Sequence, residues 1–137
     1  MPFTTRVTVR FGDTDPAGLV YYPRLFHYLH VAMEEFFAAC CGVSYHELVE
    51  SQRLGFPTVN ARAEFLAPLV YGDVAEIEVS VSHVGRSSAD FVYTVRRASD
   101  ATVCVRAALV QVAMNLDERR AVAVPENLRA AFARSAE

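Results

Sequence analysis

One segment of this chain repeats at the period of a helix, and nearly all the rest alternates at the period of a strand. From Pro23 to Cys41, apolar residues fall three or four apart at Leu25, Leu29, Ala32, Phe36 and Cys40, and Phe26, Met33 and Phe37 widen the stripe. So broad an apolar face predicts a long helix nearly wrapped by other structure. From Phe3 to Phe11 the odd positions read Phe, Thr, Val, Val, Phe and the even ones Thr, Arg, Thr, Arg, which predicts a strand with one buried face. After Pro57 the period of two persists. Val59, Ala61, Ala63 and Phe65 alternate with polar residues, as do Ala75, Ile77, Val79 and Val81, then Ala89, Phe91, Tyr93 and Val95. Val103 to Met114 is apolar on both faces for much of its length and reads as a central strand. One helix and about five strands joined by short links can hide each other's apolar faces as a two-layer α+β domain with an antiparallel sheet. The expectation is a single domain over residues 1–137.

Punctuation agrees with this division. Gly42 is placed to stop the long helix, and Ser44 with Glu47 forms a capping box for a short helix from Tyr45 to about Ser51. Turn formers cluster at Ala67–Asp73, Gly85–Ser87 and Ala98–Ala101. Pro125 can open a last short helix with Leu128 and Phe132 on one face.

Composition removes several classes of function. The net charge is −3 and all 13 basic residues are arginines with no basic run, a poor basis for nonspecific nucleic-acid binding. Cys40, Cys41 and Cys104 form no C-x-x-C pair, so a zinc site has no support. His27 and His30 lie three apart on the helix with no third ligand in sight. The odd cysteine count and an N-terminus patterned as a strand rather than a leader point to the cytoplasm. No apolar run reaches the roughly 18 residues of a membrane span.

The chemistry concentrates in Phe11–Pro23, FGDTDPAGLVYYP, between the first strand and the helix. Pro16 biases Asp15 away from helical angles, and Gly18 permits backbone angles that other residues avoid. Pro23 suits the first position of a helix, where a missing N–H loses nothing. An acidic side chain is thus set just before a helix N-terminus, where free N–H groups and a partial positive charge point outward. A carboxylate paired with an electrophile-polarising helix end is what acyl transfer needs. Asp13 reads as a turn carboxylate bonded to a nearby N–H.

The stretch FGDTDPAGLVYYPRLFHYLHVAMEEFF closely resembles the opening of the 4-hydroxybenzoyl-CoA thioesterase family. The likeness continues through GFPTVNARAEFLAPLVYGDV, HVGRSS and RRAVAVP, so it spans most of the chain. The resemblance implies the hotdog fold, a curled antiparallel sheet around one long helix, assembled as a homodimer with a joined sheet and further as a homotetramer. It also implies hydrolysis of acyl-CoA thioesters without metal or prosthetic group, CoA being part of the substrate. The family's catalytic carboxylate falls on Asp15 and its carbonyl-polarising amide on Tyr22, with Gly18 in the same loop allowing close approach. Arg86, Ser87, Ser88 and Arg120 match regions that grip the nucleotide end of CoA. Thr58 and Asn60, after the Gly-Phe-Pro turn, are candidates to line the acyl pocket. The aromatic pair Tyr21–Tyr22 and the phenylalanine-rich helix favour an aromatic or short acyl group over a long chain. The alternative is a noncatalytic acyl-CoA or acyl-carrier binding module, against which an intact Asp15 argues. A dehydratase on the same fold needs a His and an acid in motifs this chain lacks.

Overall fold

The structure, a computed structural model, describes residues 1–136. Strand β1 is Phe3–Thr8 and the long helix α1 is Tyr22–Cys40, followed by a short helix α2, Tyr45–Glu50. Then come β2 (Leu54–Gly55), β3 (Thr58–Phe65), β4 (Val74–Val84), β5 (Ser88–Arg97), β6 (Val103–Val112), β7 (Met114–Asn115), β8 (Arg120–Ala121) and helix α3 (Glu126–Ser135). Five strands make one antiparallel sheet in the order β1-β4-β5-β6-β3, and α1 lies across its inner face. This is the two-layer arrangement the periodicity predicts.

The alternating residues of β4 and β5 fall where their pattern requires. Ala75, Ile77, Val79 and Val81 are buried on one strand and Ala89, Phe91, Tyr93 and Val95 on the next. Against them α1 sets Leu25, Leu29, Ala32, Met33, Phe36 and Phe37, all buried. Phe37, Phe56, Phe91 and Phe132 close the core with ring centroids 5.4–6.3 Å apart in mostly edge-on or tilted pairs. Each such ring, fully buried, contributes roughly 2–3 kcal/mol by area alone, so the Phe cluster is the main anchor between helix and sheet.

The signals that end and start helices act as expected. Gly42, at φ +70°, follows the last turn of α1, and the Ser44 side chain accepts a hydrogen bond from the Glu47 N–H. Helix α3 opens after Pro125 and buries Leu128, Ala131, Phe132 and Ser135.

Five expectations need correction. The first strand stops at Thr8 rather than Phe11, because Phe11–Asp13 coils into a single 3-10 turn; Phe11 is left 76% exposed, edge-on to Tyr71. Helix α1 begins one residue early, so Pro23 is its second residue and Tyr22 its first. That helix is covered on one side only: His27, His30, Glu34 and Glu35 stay exposed. The last apolar run breaks at Ala113, where the chain leaves β6 and forms a small sheet, β2-β7-β8, that periodicity did not indicate. Most consequential is β3. Its period-two pattern does not mark a buried face, for seven of its eight residues are exposed and only Ala63 is partly covered. It pairs with β6 on one side and, among the described residues, carries no strand on the other.

Candidate active site at the N-terminus of the long helix

The loop before α1 is held by its own backbone. The Asp15 N–H donates to Leu19 O (3.0 Å) and the Gly18 N–H to Asp15 O (2.9 Å), closing a turn over Pro16 and Ala17. Gly18 sits at φ +86°, a left-handed conformation that costs a side-chain-bearing residue about 1 kcal/mol or more. A Cβ there would meet nothing of this chain within 4 Å, so within the chain the turn's backbone angle alone calls for glycine. Val20 N–H donates to Leu69 O (2.9 Å), tying the loop to the β3–β4 connection.

The two carboxylates of the motif have opposite situations. Asp13 is the anchor: its Oδ2 accepts from the Arg10 N–H (3.0 Å) and the Tyr28 hydroxyl (2.6 Å), and Arg24 Nε stands 3.8 Å from Oδ1. Burial alone would raise its pKa, but the Tyr28 and Arg10 bonds and the charges of Arg24 and His27 together hold it below 3.8. A depressed native pKa stabilises the fold fully above the unfolded value of 3.8, and this is lost as pH falls through the native one. Asp13→Asn is therefore expected to cost about 1–3 kcal/mol at neutral pH. In urea unfolding, the gap from wild type should close as pH drops below 3.8; a gap that persists there would contradict this role.

Asp15 has one protein partner among the described residues, the Ala17 N–H, which donates to its Oδ1 at 2.9 Å. Its other oxygen is uncommitted. It lines a cleft of about 490 Å³ whose remaining walls are Leu19, Val20, Tyr22, Leu25, the segment 65–69 and Val105. Tyr22, first residue of α1, has an N–H with no acceptor four residues back, and none is found for it among the described residues. Tyr21, Tyr22 and Phe65 add edge-on aromatic pairs at its rim (5.5 and 6.5 Å). A carboxylate, an open amide at a helix N-terminus and an apolar, aromatic-rimmed wall meet at one place. This arrangement can activate a nucleophile, or act as one, beside a carbonyl that the amide polarises.

The other sequence-predicted residues gather elsewhere. Thr58 pairs with Gln111, Asn60 with Val110, and Ser88 with Val112. Arg86 O accepts from the Val124 N–H (2.8 Å), and Ser87 O from the Ala113 N–H (2.7 Å). Arg120 is exposed on β8, ion-paired with Glu118 at 2.5 Å. All six lie around the far end of β6, whereas Val105 in the Asp15 cleft lies near its beginning. Seven residues of strand separate these ends by about 23 Å. Within one chain the two groups do not form one site.

His30 Nε2 stands 2.9 Å from Glu34 Oε2 on the outer edge of α1, and His27 is exposed. Among the described residues no three His, Cys, Asp or Glu side chains lie close enough to hold a metal ion, and no helix is long and apolar enough to cross a membrane. Burial pushes the Cys41 thiol up to about 12, far from a ready nucleophile. Sequence reasoning missed Gln111, which is buried between α1 and the sheet; a lone polar residue in an apolar run was the available signal.

The curled sheet around one long helix is the hotdog fold, shared with a crystal structure of 4-hydroxybenzoyl-CoA thioesterase (TM-score 0.86, 30% identity, covering 96% of this chain and 98% of that one). The model of the Thioesterase-like superfamily matches residues 9–132. The chain is 34% identical over 128 residues to the 4-hydroxybenzoyl-CoA thioesterase of Pseudomonas sp. (strain CBS-3), covering 89% of this chain and 91% of that protein. It is 30% identical to the 1,4-dihydroxy-2-naphthoyl-CoA hydrolase of Nostoc punctiforme, covering 93% and 84%. This chain belongs to the thioesterase-like superfamily.

Proposed function

We propose that this acyl-CoA thioester hydrolase acts on an aromatic acyl-CoA, at the Asp15 cleft, releasing the free acid and CoA. The observation that carries the reading is that Asp15, with one carboxylate oxygen uncommitted among the described residues, and Tyr22, at the first position of α1, line one apolar, aromatic-rimmed cleft. Two relatives support the aromatic class by their names, one a thioesterase of 4-hydroxybenzoyl-CoA and one a hydrolase of 1,4-dihydroxy-2-naphthoyl-CoA. A crystal structure shows an Asp-to-Asn variant of a 4-hydroxybenzoyl CoA thioesterase complexed with 4-hydroxybenzoyl CoA.

In the reaction, the thioester carbonyl carbon is attacked by Asp15 itself or by a water whose proton Asp15 takes. The carbonyl oxygen becomes an oxyanion facing the Tyr22 N–H and the positive end of α1. Collapse breaks the C–S bond and the electron pair leaves on the CoA sulfur. Where Asp15 is the nucleophile, water then cleaves the mixed anhydride and restores the carboxylate; where it is the base, the acid forms directly. Gly18 contributes by holding the turn that aims Asp15.

The site is completed by a second copy of the chain. Strand β3 offers an open edge and exposed Val59 (63%) and Phe65 (52%), a poor surface to leave in water. Full-length antiparallel pairing of β3 with its own copy sets Thr58 of one chain opposite Phe65 of the other. It thereby brings Thr58, Asn60, Arg86, Ser87, Ser88 and Arg120 of one copy toward the Asp15 cleft of the other. The reading therefore includes a homodimer with a joined sheet, with arginines toward the CoA phosphates, assembling further to a homotetramer and working in the cytoplasm as a single-domain protein.

The oxyanion donor has a clean test. Tyr21 already has the extended angles (φ −65°, ψ 125°) that a following proline demands, and proline is favoured at a first helical position. Tyr22→Pro should thus fold, yet lose about 100- to 1,000-fold in kcat. Tyr22→Ala, which keeps the N–H, should lose far less. Equal losses in the two variants, measured by thiol release, would assign the effect to the ring instead of the amide.

A further inference from the structure

The turn from β4 to β5, Gly85–Ser87, is closed by the Gly85 N–H, which donates to Ser88 O at 2.8 Å. Carbonyls at the tip of such a turn usually face water. Here each of the three accepts a hydrogen bond from a later stretch of the chain. The Ala113 N–H donates to Ser87 O (2.7 Å) and the Val124 N–H to Arg86 O (2.8 Å). Arg129, on α3, reaches back with a single nitrogen, Nη2, to Gly85 O (3.0 Å) and Arg86 O (3.2 Å). A cationic donor makes a stronger bond to a carbonyl than a neutral one. The donor is also anchored, because α3 buries Leu128, Ala131 and Phe132.

Arg86 is therefore held by its backbone and not by its side chain. Its carbonyl accepts from two donors, Val124 and Arg129. Its side chain is exposed, and among the described residues it forms no ion pair. An anion that binds on a loose turn must first order it, whereas a turn fixed beforehand presents its cation at once. Arg129 is the side chain that does this fixing.

We infer that Arg129 is a positioning residue for the nucleotide end of CoA: its hold on the Gly85 and Arg86 carbonyls fixes the turn that presents the Arg86 guanidinium to the phosphates. The inference rests on the acyl-CoA reading above, with Arg86 toward those phosphates. Arg129 acts through Arg86. Removing it therefore loses no more affinity than removing Arg86, and loses nothing further once Arg86 is gone.

The test compares wild type, Arg86→Met, Arg129→Met and the double variant. Thiol release is measured from 4-hydroxybenzoyl-CoA and from 4-hydroxybenzoyl-pantetheine, which carries the same thioester without the nucleotide. Arg129→Met should raise KM for the CoA ester about tenfold, with kcat within about twofold of wild type. The kcat/KM of the pantetheine ester should change by less than about twofold. The double variant should match Arg86→Met, because two residues that act through one contact are not additive. A merely structural loss at Arg129 lowers both esters together, so equal losses on the two esters overturn the inference. So does an additive double variant, which would give Arg129 a phosphate contact of its own. So does an Arg86→Met variant that handles the CoA ester as wild type does, a comparison that needs no Arg129 variant to fold. Calorimetric binding of CoA to the same proteins keeps the two readings apart. Absence of thiol release by the wild type, with CoA binding weakened about tenfold by Arg129→Met, would sink the hydrolase reading and leave this one standing. Failure of CoA to bind the wild type would overturn the inference.

Discussion

Asp15→Asn should lower kcat by about 1,000- to 10,000-fold, the range expected when a positioned acid–base or nucleophilic group is removed. Its melting temperature should match wild type, because asparagine keeps the oxygen that accepts from the Ala17 N–H. Affinity for the thioester should change little, since most of the cleft's other lining residues are apolar. Asp13→Asn is the contrasting variant, because Asp13 Oδ2 already accepts from both the Arg10 N–H and the Tyr28 hydroxyl. It should lose stability and keep most of its rate. The reverse outcome, an active Asp15→Asn and a dead but folded Asp13→Asn, would mean the roles of the two carboxylates have been exchanged. Steady-state thiol release with thermal melts of both variants decides it.

Breaking the open edge of β3 should be nearly as damaging. Hydrogen bonds alternate sides along an antiparallel strand, so of two adjacent residues one points its N–H at β6 and the other outward. Of Ala61→Pro and Arg62→Pro, therefore, one should spare the β3–β6 ladder and remove only an outward donor. That variant should elute as a folded monomer of 15.2 kDa where wild type runs at a multiple of that mass. Its kcat/KM should fall on the order of 1,000-fold, because acyl and CoA contacts and the carboxylate no longer share one site. A monomer that hydrolyses as well as wild type would show that one chain carries a whole site. Light scattering and thiol release on the same sample report both quantities.

The sequence was most legible where one physical cause acts alone. The 3.6 period of Leu25–Cys40 and the period of two in β4 and β5 are set by burial against one partner layer, and both appear as expected. The Gly42 stop and the Ser44–Glu47 cap are local hydrogen-bond devices, and they too read directly. Strand β3 misled because its alternation resembles that of β4 while, among the described residues, it is covered only in part at Ala63. In the proposed dimer its apolar residues answer to the other copy, which periodicity cannot distinguish from a core. The same proposed pairing divides the site between two copies. Asp15 and Tyr22 were legible as a loop and helix end, and Asp13 as a turn acid, but sequence order gave no sign that Arg86 and Arg120 sit about 23 Å of strand away. Gly18 was legible as a conformational requirement, met at φ +86°. Gln111 left only the faint mark of one amide in an apolar strand, and nothing in the sequence shows that it is buried against Phe56 and Met33.

The most direct test of the central claim is thiol release by the wild-type protein from benzoyl-, 4-hydroxybenzoyl-, phenylacetyl-, short-chain and long-chain acyl-CoA. The account predicts turnover, with kcat/KM highest for an aromatic ester and lowest for the long chain. No release from any ester, with the esters still binding, would contradict it and leave a noncatalytic acyl-CoA binding module in its place.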